Sequence, residues 1–390
     1  MNLPAPAAFV PPTDSELAAL KTEAAAFAET VLRPGAADRD RTKAFPRAET
    51  AAAAKKGWLG FLAPKELGGI AAGNLRQAVV MEEFARVDMA THVGVSVHNS
   101  LVVGPTLKYG SADLQKRFVP KLARGEWLGA YALTEPHAGS DAASLSLKAE
   151  RKGDRFVLNG SKMWITTGAE ADVLLVFART THEYSKAKGI SAFLVMRHSP
   201  GVTAGKPENK LGIRASETVQ LFFENVEVPA ENLIGEENRG FNYAMETLNG
   251  GRVGIAVQAV GVAQGILDSV VAYLMNRTRD GKPVRTGQDE DFRVAEMAVK
   301  VDAARLLTHR AARLRDAGAD HVREASMAKL FASQAANEIA RAAVELLGPA
   351  GWTAGGEVER FFRDARITEI YEGTTEVQKL VIARTYLTKG

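Results

Sequence analysis

The chain of 390 residues has no cysteine, which excludes disulfides, cysteine nucleophiles and thiolate metal sites and is compatible with a reducing compartment. Charge of one sign is also scarce in surplus. Lys+Arg 49 against Asp+Glu 46 leaves a formal net charge of +3, far from the basic excess that phosphate backbones favour. No nucleic-acid partner is expected. No apolar run approaches the ~20 residues that a membrane helix needs, so membrane insertion is not expected either. The Ala/Pro-rich start from Met1 to Thr13 lacks the basic and apolar segments of a secretory leader. The 7 histidines show no metal-ligand spacing, and phosphate-loop, HExxH and strand-linked GxGxxG patterns are missing. No metal site and no Rossmann nucleotide site are expected. What remains is a soluble, cytoplasmic protein whose length and 46% hydrophobic content allow two or three domains.

The apolar period changes twice along the chain. Thr13-Asp14-Ser15-Glu16 has the form of a capping box, and the helix it opens is expected to run to Leu32 and stop at Pro34. Helical periods follow through Leu75 to Val87, Val93 to Tyr109 and a helix capped by Ser111. From Arg155 onward, β-branched runs with a period of two predict strands, with Asn159-Gly160 as a hairpin turn. Beyond Gly240 the helical period returns. Ile266, Val270 and Leu274 mark one apolar face, and Phe292, Ala295, Val299, Ala303 and Leu306 mark another. The prediction is an α+β multidomain protein: an N-terminal helical domain over 1–128, a central antiparallel β-barrel or sandwich over 129–238, and a C-terminal four-helix bundle over 239–390.

Three segments carry candidate chemistry. In Ile370-Tyr371-Glu372-Gly373-Thr374-Thr375-Glu376, one carboxylate sits between apolar residues and a glycine at the mouth of a helix. Burial would raise its pKa and make it a better base, whereas the helix N-terminus would lower it. Thr374 is placed to cap that helix. In Tyr131-Ala132-Leu133-Thr134-Glu135-Pro136-His137-Ala138-Gly139-Ser140, an apolar entry leads into a turn rich in hydroxyls and backbone N–H groups. In Lys162-Met163-Trp164-Ile165-Thr166, strand alternation places Trp164 and Thr166 on one face. An indole beside a hydroxyl suits a planar heterocycle. Taken singly, each segment also reads as ordinary structure: a first-turn acid, a loop, a core tryptophan.

In this order and at these distances the three segments together resemble the acyl-CoA dehydrogenase family, over nearly the whole chain and closest to its short-chain and short-branched-chain branch. The resemblance implies an FAD enzyme that oxidises an acyl-CoA to the trans-2-enoyl-CoA and passes electrons to an electron-transfer flavoprotein. It also implies a homotetramer built as a dimer of dimers. By similarity, Glu372 removes the α-proton, with Tyr371 and Gly373 beside it on the substrate side. Tyr131, Leu133 and Thr134 line the flavin pyrimidine edge, Trp164 covers the ring and Thr166 contacts its N5 side. Gly139, Thr374 and Glu376 join the cofactor set, and Ser140 lies near both the phosphates and the pantetheine arm. Asn249 and Arg252 belong to the substrate set, Arg252 meeting the CoA portion. Arg277, Gln288, Glu345 and Gly348 match positions that reach the FAD of a neighbouring subunit.

The pattern breaks at Asp280, where relatives carry an aromatic residue, at Pro349, where they carry glycine, and at Glu345, where glutamine is frequent. Those departures motivate an alternative, a catalytically altered flavin-binding, acyl-CoA-binding or nucleic-acid-associated protein of the same fold. An acyl-CoA oxidase is a third reading.

Overall fold

The computed structural model describes residues 10–181 and 187–387; the readings of residues 1–9 and of His182 lie outside them. Thr13 caps α1 (Asp14–Phe27) with both halves of the capping box: the Glu16 N–H donates to Thr13 Oγ1 at 3.2 Å, and the Thr13 N–H donates to Glu16 Oε2 at 2.8 Å. Pro34 does not stop the helix. A widened turn at Ala28–Leu32 leads straight into α2 (Arg33–Thr42). Pro34 falls in the first turn of α2, where its missing N–H leaves no hydrogen bond unmade. The chain turns instead at Lys43, with φ 60°.

After α3 (Arg47–Lys55) and α4 (Gly73–Val87), α5 (Met89–Val97) continues through a second widened stretch, His98–Val103, into α6 (Gly104–Tyr109). Ser111 caps α7 (Ala112–Ala123) by accepting the Leu114 N–H at 3.2 Å.

The strands are β1 (Gly129–Ala132), β2 (Lys148–Lys152), β3 (Arg155–Thr166), β4 (Val173–Arg179), β5 (Ile190–Met196), β6 (Val202–Ala204), β7 (Thr218–Pro229) and β8 (Leu233–Ile234). They form one 8-stranded sheet in the order β6-β7-β3-β2-β4-β5-β8, with β1 beside β4. Most pairings are antiparallel, as expected, but β1 and β2 both run parallel to β4. The hairpin expected at Asn159-Gly160 is absent. The turn lies earlier, at Gly153-Asp154 between the paired Lys152 and Arg155, and Asn159-Gly160 sits inside β3. There β7 carries one extra residue beside Asn225 (φ 49°), whose N–H donates to Asn159 Oδ1 at 2.8 Å. A second offset between Lys162 and Ile165 puts the extra residue on β3 at Trp164, with φ 61°. Uniform alternation therefore fails at Trp164. Trp164 and Thr166 nevertheless both lie outside the core on either side of Ile165, which is buried.

The C-terminal part contains α8 (Gly240–Asn276), a small ribbon of β9 (Thr278–Arg279) and β10 (Lys282–Pro283), α9 (Gln288–Asp316), α10 (Val322–Leu347), α11 (Pro349–Trp352), α12 (Glu357–Ala365) and α13 (Thr375–Leu387). By length and composition α8 could cross a bilayer, yet 67% of its most apolar window is buried. It packs between α4, α9 and α10, and one core joins α1, α4 and α5 to this bundle. The apolar face expected of α9 is real but points outward. Phe292, Val299 and Leu306 are 59%, 69% and 62% exposed, Ala295 is exposed and Ala303 half-buried. The inward face consists of Met297, Val301, Ala304, Thr308 and Ala311. Its small residues let α9 approach the bundle closely, and a helical period reveals that an apolar face exists without revealing what covers it.

Candidate active site

Ahead of α13, two consecutive residues take left-handed conformations, Glu372 at φ 51° and Gly373 at φ 94°. A non-glycine residue there is strained by about 1 kcal/mol or more. The turn delivers the Glu372 side chain onto α8 at Gly251. A Cβ on Gly251 would stand 2.1 Å from Glu372 Oε2 and 3.2 Å from Leu101 Cδ2. Oε2 is enclosed and has no hydrogen-bond partner. Burial pushes the Glu372 carboxyl up to about 7, and the nearby Lys329 ammonium opposes that shift. Desolvation therefore outweighs the opposing charge. Thr374 does cap α13, accepting the Val377 N–H at 3.4 Å, and Glu376 is exposed in the first turn.

Two phenols face the carboxylate. Tyr131 and Tyr371 are both held well above their ordinary pKa, first by burial and then by the Glu372 charge. The Tyr371 hydroxyl donates to Gln258 Oε1, and Gln258 Nε2 donates to the Met89 carbonyl at 3.2 Å. The Tyr131 hydroxyl has no partner.

Tyr131 belongs to β1, and the segment after it is pinned to β3. Lys162 Nζ donates to the Leu133 carbonyl at 2.9 Å and to Glu135 Oε1 at 2.8 Å. Glu135 also accepts from the Ser146 and Leu147 N–H groups at 2.7 and 2.9 Å. The Met163 N–H donates to the Thr134 carbonyl at 2.8 Å. Leu133, Thr134, Trp164 and Thr166 are thereby gathered where β1 and β3 end. The Trp164 indole is 53% exposed, and Thr167 Oγ1 is buried without a partner. An aromatic plane outside the core, flanked by unpaired hydroxyls, fits a planar heterocycle with hydrogen-bonding edges. Gly139 and Ser140 lie exposed on the following turn, and a Cβ at Gly139 would meet nothing within 4 Å.

Arg277, Gln288, Glu345 and Gly348 are gathered elsewhere. Arg277 makes a two-pronged pair with Glu290 at 2.6 and 2.9 Å, Arg293 lies 3.8 Å from Glu345, and Gly348 has φ 56°. Arg277 follows the end of α8, roughly 39 Å along that helix from Gly251 at 1.5 Å per residue. Arg252 lies on α8 next to Gly251. It is 7% exposed, and its guanidinium turns inward to Asn249 Oδ1 at 2.7 Å and Ser326 Oγ at 3.3 Å. Hydroxyl and amide acceptors on α8 and α10 hold Nη1 there, and Nε is buried without a partner.

Sequence reasoning missed Lys329, Gln258, the Glu135–Lys162 pair and the reason for Gly251. One signal was present for each lysine. Lys329 shares the buried face of α10 with Ala325, Ala328 and Ala332, and Lys162 is wholly buried in β3 between half-buried neighbours. A lysine on a core-facing position demands a partner. His92 and His98 are core groups, driven by burial down to about 3 and about 4. Among the described residues no cluster of metal ligands occurs.

Family models match the chain in three blocks: the N-terminal domain of acyl-CoA dehydrogenase over residues 14–126, its middle domain over 130–226 and its C-terminal domain over 238–387. The mitochondrial short-chain specific acyl-CoA dehydrogenase of Mus musculus is 48% identical over 92% of this chain and 86% of its own length. Butyryl-CoA dehydrogenase from Megasphaera elsdenii superposes with a TM-score of 0.93 at 36% identity, covering 97% of this chain and 100% of that one. A chain solved in work on the electron transferring flavoprotein of Acidaminococcus fermentans superposes with a TM-score of 0.94 at 40% identity, covering 97% and 99%.

Proposed function

The chain belongs to the acyl-CoA dehydrogenase family, and from that premise we propose that Glu372 is the base that takes the α-proton of an acyl-CoA thioester on its way to the trans-2-enoyl-CoA. FAD, the cofactor of this family, supplies the acceptor for the β-hydrogen and its electron pair when bound. The observation that carries the reading is the Glu372 carboxyl seated on Gly251 with Oε2 enclosed and unbonded, near enough for its charge to act on the buried Tyr131 phenol of β1. A half-buried carboxylate held near 7, with Oε2 enclosed and without a hydrogen bond, is a competent carbon base at neutral pH. The Glu372 N–H makes no hydrogen bond to the described residues, which leaves it available to polarise a thioester carbonyl. An electron-transfer flavoprotein is the acceptor. A short acyl chain and a cytoplasmic location are part of the same proposal. The Tyr371–Gln258–Met89 chain of hydrogen bonds beside the base supports the short chain, because it closes that side with polar groups already satisfied.

Leu133, Thr134, Trp164 and Thr166 would hold the flavin ring, and Arg277, Gln288, Glu345 and Gly348 would receive the adenosine end of a partner's FAD. The departures at Asp280 and Pro349 suit their places. Asp280 takes a left-handed φ of 52° in a tight turn, and Pro349 opens α11, roles that aspartate and proline fill well. A homotetramer is part of the same proposal, supported by the distance between the two residue sets and by the outward seam of Phe292, Val299 and Leu306, which recurs at the seven-residue interval of helix pairing. Leu306→Glu together with Val299→Lys is expected to lower the assembly mass in analytical ultracentrifugation and to weaken FAD retention. An unchanged mass would assign that seam another role.

Gly251→Val is expected to lower turnover by about 10²-fold or more while sparing flavin binding, because the carboxylate loses its seat. Rapid-mixing measurements of flavin reduction would show it. The proposal as a whole is tested by adding butyryl-CoA anaerobically to the purified flavoprotein. Bleaching of the flavin supports it; a flavin that no acyl-CoA of any length bleaches overturns it.

A further inference from the structure

Lys329 has no part in the reading above, yet it is wholly buried within bonding distance of the turn that carries the base. Its Nζ donates to the Gly373 carbonyl at 2.5 Å, and Gln378 Nε2 donates to the same oxygen at 2.8 Å. The groups that face this ammonium come from several elements: Glu372 from the turn, Arg252 from α8, Glu369 from the segment before the turn and Glu376 from α13. Glu372 is the one with an enclosed, unbonded carboxylate oxygen, Oε2. The pair of left-handed residues, 372 and 373, ends at the carbonyl that Lys329 holds. Released from it, Glu372 would relax toward an ordinary φ and its carboxylate would leave Gly251.

We propose, resting on the assignment of Glu372 as base, that Lys329 is the positioning residue of this active site: it clamps the Gly373 carbonyl so that the base stays on Gly251, and its charge sets the strength of that base. A fixed cation near a half-buried carboxylate lets the carboxylate remain ionised at neutral pH without bonding to it, so no donor competes for the Oε2 lone pairs that must take the proton. Burial lowers the lysine itself to about 8, with the Glu372 charge resisting. Lysine and glutamate then carry opposite charges together over a narrow range around neutrality.

The test uses the FAD-loaded enzyme and the pH profile of flavin reduction by butyryl-CoA, compared among wild type, Lys329→Met, Lys329→Gln and Lys329→Arg. Loss of the cation should move the rising limb, set by base ionisation, to higher pH by about one unit or more. Lys329→Met should also lose roughly tenfold or more in rate at neutral pH and show a larger isotope effect with α-deuterated substrate. Lys329→Gln keeps a donor for the Gly373 carbonyl, so it is the variant that decides if Lys329→Met fails to hold flavin. Lys329→Arg should restore the limb. A limb that stays within a few tenths of wild type in Lys329→Gln, with flavin bound and rate within twofold, overturns the positioning role. Wild-type enzyme that no acyl-CoA reduces would overturn instead the base assignment on which it rests.

Discussion

Glu372→Gln is expected to bind FAD and acyl-CoA normally and to lose at least 10²- to 10⁴-fold in the rate of flavin reduction, the span associated with removing a general base. The amide is nearly isosteric, so it can occupy the space over Gly251, yet it has no lone pair basic enough to take a carbon-bound proton. The same change should stabilise the protein above neutral pH. In the folded chain burial raises the Glu372 carboxyl from 4.5 to about 7, so the native state binds that proton more tightly than the unfolded chain does. The resulting stability is complete below the unfolded value and is lost as pH rises through about 7. Above that, the ionised carboxylate opposes folding by roughly 1–3 kcal/mol, allowing for partial solvent access. Glu372→Gln removes the opposition. Thermal melts of the two proteins should coincide near pH 4 and diverge by pH 8, with the variant higher. A variant that turns over butyryl-CoA at more than a tenth of the wild-type rate would remove Glu372 from the mechanism.

Lys162→Met should be the most destabilising single change near the flavin edge. The Lys162 and Glu135 side chains are 0% and 2% exposed and lie 2.8 Å apart. Burial opposes charge on both groups. It wins for Lys162, which falls to about 8, whereas for Glu135 the lysine and backbone donors overcome it and the carboxyl ends below its ordinary value. Removing the ammonium strands a buried carboxylate, a loss on the order of 3–5 kcal/mol. The Leu133 carbonyl loses its donor as well, so the segment proposed to hold the flavin ring should loosen. The check is denaturant unfolding of the apoprotein alongside FAD affinity. Both should fall, and Lys162→Met with Glu135→Leu should recover part of the stability because no lone charge remains. Full stability in Lys162→Met alone would show that the pair contributes nothing net.

Local chemistry made much of this molecule readable in advance. The helix, sheet and helix order follows from apolar period, and the Thr13 and Ser111 caps from residues adjacent to what they cap. Glu372 could be singled out because its glycine and its threonine cap are neighbours in sequence. What escaped depends on distant segments. Pro34 was rescued by a widened turn upstream, Asn159-Gly160 was drawn into a strand by pairing with β7, and the outer face of α9 could not be told from its inner face because the packing of α10 against small residues decided it. Lys329 comes 43 residues before Glu372 in the chain (372 − 329), and nothing local reports that they meet.

The two offsets between β3 and β7 cancel. Arg155 to Leu158 and Ile165 to Thr166 share one pairing frame, and only the stretch from Gly160 to Lys162 is displaced from it. Between the offsets lies Lys162, and Trp164 is itself the residue that β3 has to spare. The consequence concerns length rather than composition. A single-codon deletion at either offset would shift the frame across the other and exchange core and outward side chains over the rest of the strand. Deletions at both sites would keep the sheet in frame while withdrawing Trp164 from its exposed position. Across descendants of this gene, changes in length here should occur in compensating pairs or not at all, even where the amino acids themselves drift.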